Sequence, residues 1–225
     1  MNIKELLPYP LELVIFDVDG TLYDQSALRR KMVKALLLHY LFRPQKYKEL
    51  LILYHFRKER EKRPGYTSFK LNKEQYEWCA QKTRLPAETV EKVVSYWMYE
   101  FPLKFLPALK YEAVTSLFSR LQNKNIKIAA YSDFPVSEKL CAMQLYTNIS
   151  VCSTDPLINS FKPSPNGINY ILNTLHVKKE HCLFIGDRYS RDGKCAKNAG
   201  IRYLILPDSN NEKNKLFVHL SRLLN

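Results

Sequence analysis

Five short apolar runs, separated by segments of helical periodicity, constrain the fold of this chain more than any other feature. The runs are four to six residues long, a length typical of β-strands, and they occupy residues 13–16, 126–131, 149–153, 182–185 and 203–206. Next to the later runs, apolar residues recur mostly every three or four positions, as in 109–121 before the second run and 168–175 before the fourth. Strands that alternate with amphipathic helices predict an α/β fold with a doubly wound parallel sheet.

The long interval between the first two runs breaks this alternation. Residues 25–105 contain no convincing strand pattern, and prolines divide them into pieces of helix length. We therefore predict a mainly helical cap domain at 25–105, inserted into an α/β core formed by 1–24 and 106–225. Ligands bind at the carboxyl edge of the strands in open α/β folds, and the cap is expected to cover that edge.

Acidic residues follow two of the apolar runs directly. Asp17 and Asp19 come after the first run and project to the same side of an extended chain, while Gly20 permits backbone conformations that a side chain would forbid. Asp187 and Asp192 follow the fourth run. Buried carboxylates are costly unless they meet a cation or hydrogen-bond donors. Because parallel strands deliver these loops to one edge, we expect the four carboxylates to converge on a bound group.

The ligand chemistry of such a cluster favours Mg²⁺. Carboxylate oxygens, with room for water and a phosphate, suit this hard cation better than softer metals. Two further residues stand near the ends of neighbouring strands: Ser132 follows the second run, and Lys162 comes shortly after the third. A hydroxyl donor and an ammonium can hold a phosphoryl group and offset its charge. The residues therefore predict a metal site beside a phosphate site.

Four segments in order also resemble a known family. The sequences DVDGT, YSD, FKPSP and GDRYSRD closely resemble the four motifs of the haloacid dehalogenase-like hydrolase superfamily. The resemblance covers residues 11–24 and 106–206, and four ordered motifs are far more specific than one. The helical insertion looks like the first type of cap found in that superfamily.

The resemblance implies a role for each of the candidate site residues. Asp17 falls on the nucleophile of the family and Asp19 on its general acid and base. Ser132 and Lys162 fall on its phosphate-binding hydroxyl and lysine. The implied metal ligands are the carboxylates of Asp17 and Asp187 and the backbone carbonyl of Asp19, and Asp192 is implied to support the metal through a water molecule or through a hydrogen bond to one of its ligands. For Asp192, a role at a helix start or in a salt bridge stays open beside metal support.

The activity implied by the resemblance is Mg²⁺-dependent hydrolysis of a small phosphorylated metabolite through an aspartyl phosphate. The acid at Asp19 favours phosphoryl transfer, because the dehalogenase and phosphonatase branches lack an acid at that position. A sugar phosphomutase, which keeps both aspartates, stays open as an alternative. So does a catalytically silent protein that binds anions or nucleic acid through a basic cap.

Charge and composition indicate which kinds of partner the protein binds and in which cellular compartment it is expected. The net charge of +13 is concentrated in residues 25–105, which contain 18 basic and 8 acidic residues. A basic surface attracts anions, but the run at 57–65 mixes both signs, so we do not predict nucleic-acid binding. No stretch approaches the roughly 18 apolar residues of a membrane span, and residues 1–10 lack a secretory signal pattern. We expect a cytoplasmic protein of undetermined oligomeric state, whose five cysteines are reduced thiols.

Overall fold

The fold is built around a sheet of five parallel strands. A computed structural model describes residues 6–224, so predictions that involve residues 1–5 or 225 lie outside the described residues. The strand order is β3-β2-β1-β4-β5, with β1 at Leu13–Phe16, β2 at Lys127–Ser132, β3 at Ile149–Cys152, β4 at Cys182–Gly186 and β5 at Arg202–Ile205. Each strand lies within one residue of its predicted bounds.

Helices cover both faces of this sheet and fill the interval between β1 and β2. In chain order the α-helices are α1 Gln25–Leu41, α2 Lys48–Glu61, α3 Leu71–Thr83, α4 Ala87–Val94, α5 Leu106–Leu109, α6 Glu112–Asn123, α7 Ser137–Met143, α8 Asn166–Leu175, α9 Lys194–Ala199 and α10 Asn210–Leu223. The predicted class, an α/β fold with a doubly wound parallel sheet, is therefore confirmed.

The central strand shows why its apolar run carries no polar residue. Side chains alternate between the two faces of a strand. On one face, Val14 and Phe16 pack with residues of α6 and α10. On the other face, Leu13 and Ile15 pack with residues of α8 and α9. All four side chains are buried, and burying each one stabilises the fold by about 1.5–3 kcal/mol.

Residues 25–105 form helices and turns, as their periodicity predicts. Helix α1 begins after Asp24, whose carboxylate accepts a hydrogen bond of 2.8 Å from the backbone N–H of Ala27. This bond satisfies one of the free donors at the start of the helix. Helices α2, α3 and α4 enclose an apolar cluster of their own, formed by Ile52, Phe56, Tyr76, Cys79, Val90 and Val94. The division of the chain into a core and a separate cap domain stays a prediction.

The cysteines form no disulfide in the described part of the chain. All five are free thiols, and only Cys141 among them is exposed. Burial raises the pKa of Cys79, Cys182 and Cys195 to about 12. These three thiols are therefore protonated and weakly nucleophilic at neutral pH. Within residues 6–224, no helix has both the length and the apolar character that crossing a membrane requires.

Candidate active site

The predicted site residues gather at the carboxyl edge of the sheet. Asp17 follows the last residue of β1, Ser132 is the last residue of β2, and Asp187 follows the last residue of β4. The three strands are adjacent and parallel, so their ends point the same way. Lys162 approaches from the loop between β3 and α8, and its ammonium reaches Asp17. The topology thus brings together groups that are up to 170 residues apart in the chain.

Asp17 is buried at the centre of this group. One carboxylate oxygen accepts a hydrogen bond of 2.7 Å from Nζ of Lys162, and the other accepts one of 3.0 Å from the hydroxyl of Thr21. Burial raises the pKa of Asp17 to about 8; Lys162 opposes the rise, and the nearby carboxylates of Asp192 and Asp187 add to it. Without further positive charge, the site therefore favours the protonated form of Asp17 over its ionised form.

Three carboxylates form a compact cluster that fits a divalent cation. Oxygens of Asp17, Asp187 and Asp192 all lie within 4.8 Å of one another. Burial, followed by repulsion from Asp192, raises the pKa of Asp187 to about 6. Gly20 has a φ of +90°, and a Cβ at this position would collide with the carboxylate of Asp187. The spacing, the all-oxygen donor set and the mutual repulsion are those expected of a Mg²⁺ site.

Asp192 forms the salt bridge that the sequence left open, and it lies close to the other acidic residues. One of its carboxylate oxygens accepts a hydrogen bond of 2.8 Å from Nζ of Lys162, and the other accepts one of 3.0 Å from the backbone N–H of Arg188. The salt bridge is therefore present, and the same carboxylate belongs to the acidic cluster with Asp17 and Asp187. Its support of a bound metal, like metal ligation by the Asp19 backbone carbonyl, stays a prediction.

Asp19 has a different environment, in which hydrogen-bond donors surround its carboxylate. Its carboxylate accepts hydrogen bonds of 2.6 and 2.7 Å from Nζ of Lys139, one of 3.0 Å from the hydroxyl of Ser132, and one from the hydroxyl of Tyr23. Burial alone would raise the pKa of Asp19, but Lys139 and the hydrogen bonds from Lys139, Tyr23 and Ser132 lower it below its ordinary value. Two aspartates separated by one residue therefore have pKa values shifted in opposite directions.

Lys162 connects the acidic cluster to the sheet. Besides Asp17 and Asp192, its ammonium donates to the backbone carbonyl of Tyr131 at 2.9 Å. Burial would lower the pKa of Lys162, but the two aspartates outweigh it and raise the pKa well above its usual value. The side chain is only 1% exposed. It is therefore a fixed positive charge beside the predicted nucleophile.

Lys139, which contacts Asp19, is a site residue that the sequence analysis did not predict. It lies in α7, seven positions after Ser132, and is buried with its ammonium on Asp19. A lysine in a short helix ordinarily lies at the surface, so the residue type alone gives no signal. The available signal was its position: α7 starts at the carboxyl edge of β2, where its side chains can face the ends of the strands.

A cavity of about 180 Å³ lies beside these groups. It is lined by the predicted site residues Asp17, Asp19, Ser132, Lys162 and Asp192, together with five arginines, Arg29, Arg57, Arg60, Arg188 and Arg191. The guanidinium of Arg60 lies 4.3 Å from the ring centres of both Phe134 and Phe161, which hold it in place. Glu61 offsets part of the charge through ion pairs with Arg188 and Arg191. The concentration of cations around a small polar cavity suits a phosphate group.

Comparison of the sequence with protein-family models identifies the family. Residues 14–206 match the model described as haloacid dehalogenase-like hydrolase. The match covers most of the chain, so this protein belongs to the haloacid dehalogenase-like hydrolase family and is an enzyme of the hydrolase class. No curated protein sequence matches the chain significantly.

Solved structures with the same fold span several activities. A 2-haloacid dehalogenase from Pseudomonas syringae pv. Tomato DC3000 is 18% identical, with a TM-score of 0.60 and coverage of 87% of this chain and 86% of that one. A putative β-phosphoglucomutase from Thermotoga maritima is 21% identical, with a TM-score of 0.55 and coverage of 88% and 87%. The putative HAD-hydrolase YfnB from Bacillus subtilis, in a magnesium-bound crystal form, is 18% identical, with a TM-score of 0.55 and coverage of 87% and 88%. At these identities the similarity establishes the fold, and the reaction has to be argued from the site.

Proposed function

We propose that this protein is a Mg²⁺-dependent phosphatase that hydrolyses a small phosphate monoester through an aspartyl phosphate. The observation that carries the proposal is the placement of Asp19, a carboxyl group that can exchange a proton, beside Asp17 in a cavity lined by cations. Carbon–halogen cleavage releases a halide that needs no proton, whereas an alkoxide released from phosphorus does need one. The second aspartate therefore favours phosphate ester chemistry over dehalogenation.

In the first step, a carboxylate oxygen of Asp17 attacks phosphorus. The new oxygen–phosphorus bond forms as the bond from phosphorus to the ester oxygen breaks, and Asp19 gives its proton to the departing oxygen. Asp19 is ionised in the resting site, because Lys139 and its other donors lower its pKa. A phosphate dianion in the adjacent cavity raises that pKa by repulsion, and this promotes the protonated form that the step requires.

In the second step, water attacks the phosphorus of the aspartyl phosphate. Asp19, now ionised, accepts a proton from this water, and cleavage of the oxygen–phosphorus bond returns Asp17 as a carboxylate. Inorganic phosphate leaves. Lys162 and the hydroxyl of Ser132 are placed to hold the phosphoryl oxygens during both steps, because each lines the same cavity as Asp17. Division of one displacement into two lowers the barrier of each.

The acidic cluster supplies the proposed metal site. Asp17, Asp187 and Asp192 would hold the cation, with the backbone carbonyl of Asp19 as a further ligand. When bound, Mg²⁺ would reduce the repulsion between the phosphate and the carboxylates and stabilise the charge on the phosphoryl group. The support for this assignment is the close spacing of the three carboxylates and the raised pKa of two of them.

The proposed cap, residues 25–105, would cover the reacting groups. Its support is the contribution of Arg57 and Arg60 of α2 to the wall of the phosphate cavity. A phosphomutase would use the same pair of aspartates, and the similarity to a putative β-phosphoglucomutase keeps it as a second candidate. Catalytic silence is the least favoured alternative, since the full set of reacting groups is assembled in one place.

Release of inorganic phosphate tests the proposal directly. Acetyl phosphate, a small phosphoryl donor, should be hydrolysed in the presence of Mg²⁺, and excess EDTA should abolish the reaction. Incubation with a hexose phosphate distinguishes the mutase, which would form the positional isomer instead of free phosphate. A protein that neither releases phosphate from any ester nor isomerises a sugar phosphate would contradict the proposal and leave the silent binding protein.

We expect Mg²⁺ to bind more weakly as the pH is lowered. In the cation-free site the pKa of Asp17 is about 8 and that of Asp187 about 6, so protons compete with the cation below these values. Above pH 8 both groups are ionised; between the two values the cation displaces one proton, and the apparent affinity should fall about tenfold per pH unit. Below the lower value the cation displaces two protons, and the decline should steepen.

Titration calorimetry with MgCl₂ at constant ionic strength measures this dependence. Asp187→Asn should weaken binding at every pH. Glu180→Gln is the matched control, since Glu180 is an exposed carboxylate that precedes β4 at the opposite edge of the sheet, and it should leave the titration unchanged. An Mg²⁺ affinity that stays constant between about pH 8.5 and about pH 5.5 would be incompatible with a site made of these groups.

A further inference from the structure

A second, larger cavity adjoins the phosphate cavity. Its volume is about 380 Å³, within the size range of small-molecule binding sites. The two cavities share five lining residues, Asp19, Gln25, Arg29, Arg57 and Phe134. Asp19 therefore stands at the junction, between the space suited to a phosphate and the larger space beyond it. An ester whose phosphate occupies the first cavity would extend its leaving group into the second.

Beyond the junction, the wall of this larger cavity is mainly apolar. Aliphatic side chains of α1 and α2 contribute to it, among them Met32, Leu36 and Leu53, and the turns that follow α4 add Leu103. Asp19 is the only carboxylate among the residues that line it, and no serine, threonine or asparagine is present in that lining. An apolar surface of this kind binds apolar groups by removing them from water.

Several of the polar groups that reach this wall already have partners. The hydroxyl of Tyr54 accepts a hydrogen bond of 2.9 Å from Lys58. The hydroxyl of Tyr23 donates to the carboxylate of Asp19, and the guanidinium of Arg29 donates to the side-chain oxygen of Gln25 at 2.9 Å. A sugar that extended beyond the junction would give up hydrogen bonds to water and meet a mainly apolar wall in return.

We infer that the substrate is a phosphate monoester of an apolar alcohol, with its alkyl or aryl group in the larger cavity. This inference rests on the proposed function and specifies the class of leaving group. Asp19 at the junction would protonate the ester oxygen that links the two parts. Arg29 and Arg57 border both cavities, so their charge falls near the phosphate and leaves the far end of the cavity uncharged.

Hexyl phosphate and glucose 6-phosphate provide a matched pair of probes. Both are esters of a primary alcohol, so the oxygen that leaves has similar basicity and the comparison isolates the binding of the alcohol. We expect kcat/KM for hexyl phosphate to exceed that for glucose 6-phosphate by at least about tenfold. Acetyl phosphate, which lacks both groups, serves as the reference for the reaction itself.

Two adjacent leucines of α1 supply a matched pair of variants. Leu36 lines the cavity and is partly buried, whereas Leu37 is 68% exposed and is not among the residues that line it. Leu36→Gln should lower the ratio of kcat/KM for hexyl phosphate to that for acetyl phosphate by about fivefold or more, because it puts an amide into the apolar wall. Leu37→Gln should leave the ratio as it is.

The outcomes separate this inference from the proposed function. Hydrolysis of acetyl phosphate with equal or greater kcat/KM for glucose 6-phosphate than for hexyl phosphate would overturn the inference alone. Equal effects of Leu36→Gln and Leu37→Gln on the ratio would overturn it as well. If Mg²⁺ supports no hydrolysis of any of the three compounds, the proposed function fails and this inference fails with it.

Discussion

Asp17→Asn is expected to lower turnover of every phosphate ester by at least about 10⁴-fold while the protein remains folded. The amide is nearly the same size as the carboxylate, but it has no ionised oxygen to attack phosphorus. The loss should not depend on the leaving group, since the substitution removes the nucleophile itself. Released phosphate, measured at saturating Mg²⁺ with both acetyl phosphate and an alkyl phosphate, checks this expectation.

The stability of this variant controls for misfolding. Burial and the neighbouring carboxylates raise the pKa of Asp17 to about 8 in the cation-free site, so the neutral form is favoured near neutral pH and an uncharged amide suits the same position. Lys162 is not left unpaired, because it keeps Asp192 and the carbonyl of Tyr131. In EDTA the midpoint of thermal unfolding should therefore be no lower than that of the wild type. An Asp17→Asn protein that keeps more than about one hundredth of wild-type turnover would contradict the nucleophile assignment.

The fold could be predicted from the sequence because each core strand has a local sequence pattern that identifies it. A strand buried on both faces has to be continuously apolar, and Leu13–Phe16 and Cys182–Gly186 satisfy that rule. The convergence of the acidic residues then follows from topology, since parallel strands end at one edge. The sequence alone therefore predicts that residues as distant as Asp17 and Asp187 lie at the same edge of the sheet.

The contacts of Asp19 were beyond sequence reasoning for a physical reason. Whether Lys139 meets Asp19 depends on how α7 is oriented over the strand ends, and that orientation is set by tertiary packing. The residue type alone predicts an exposed side chain, because a buried lysine is uncommon without a partner. The apolar cavity was hidden by a similar ambiguity. Leu36 stands in a run of three leucines of α1, and the sequence looks the same whether such a leucine packs against a helix or lines a cavity.

Asp19→Asn is expected to slow esters with poor leaving groups far more than esters with good ones. Removal of a general acid typically costs about 10²–10⁴-fold, and that cost should appear in full for hexyl phosphate, whose alkoxide is strongly basic. For 4-nitrophenyl phosphate, whose leaving group is a stable anion, protonation contributes little to the first step. Comparison of kcat/KM for the two substrates in wild type and variant gives the measurement.

A second variant is needed because Asp19 also forms an ion pair with the buried ammonium of Lys139. The ammonium of Lys139 lies 2.6 and 2.7 Å from the two carboxylate oxygens, and the lysine side chain is 8% exposed. Loss of one partner from a buried ion pair is destabilising, so part of any loss in Asp19→Asn can come from a disturbed site. The double variant Asp19→Asn/Lys139→Met removes both charges and should recover thermal stability while it preserves the dependence on leaving group. If hexyl and 4-nitrophenyl phosphate lose activity equally in the double variant, Asp19 is not the acid, and its carboxylate serves only to neutralise Lys139.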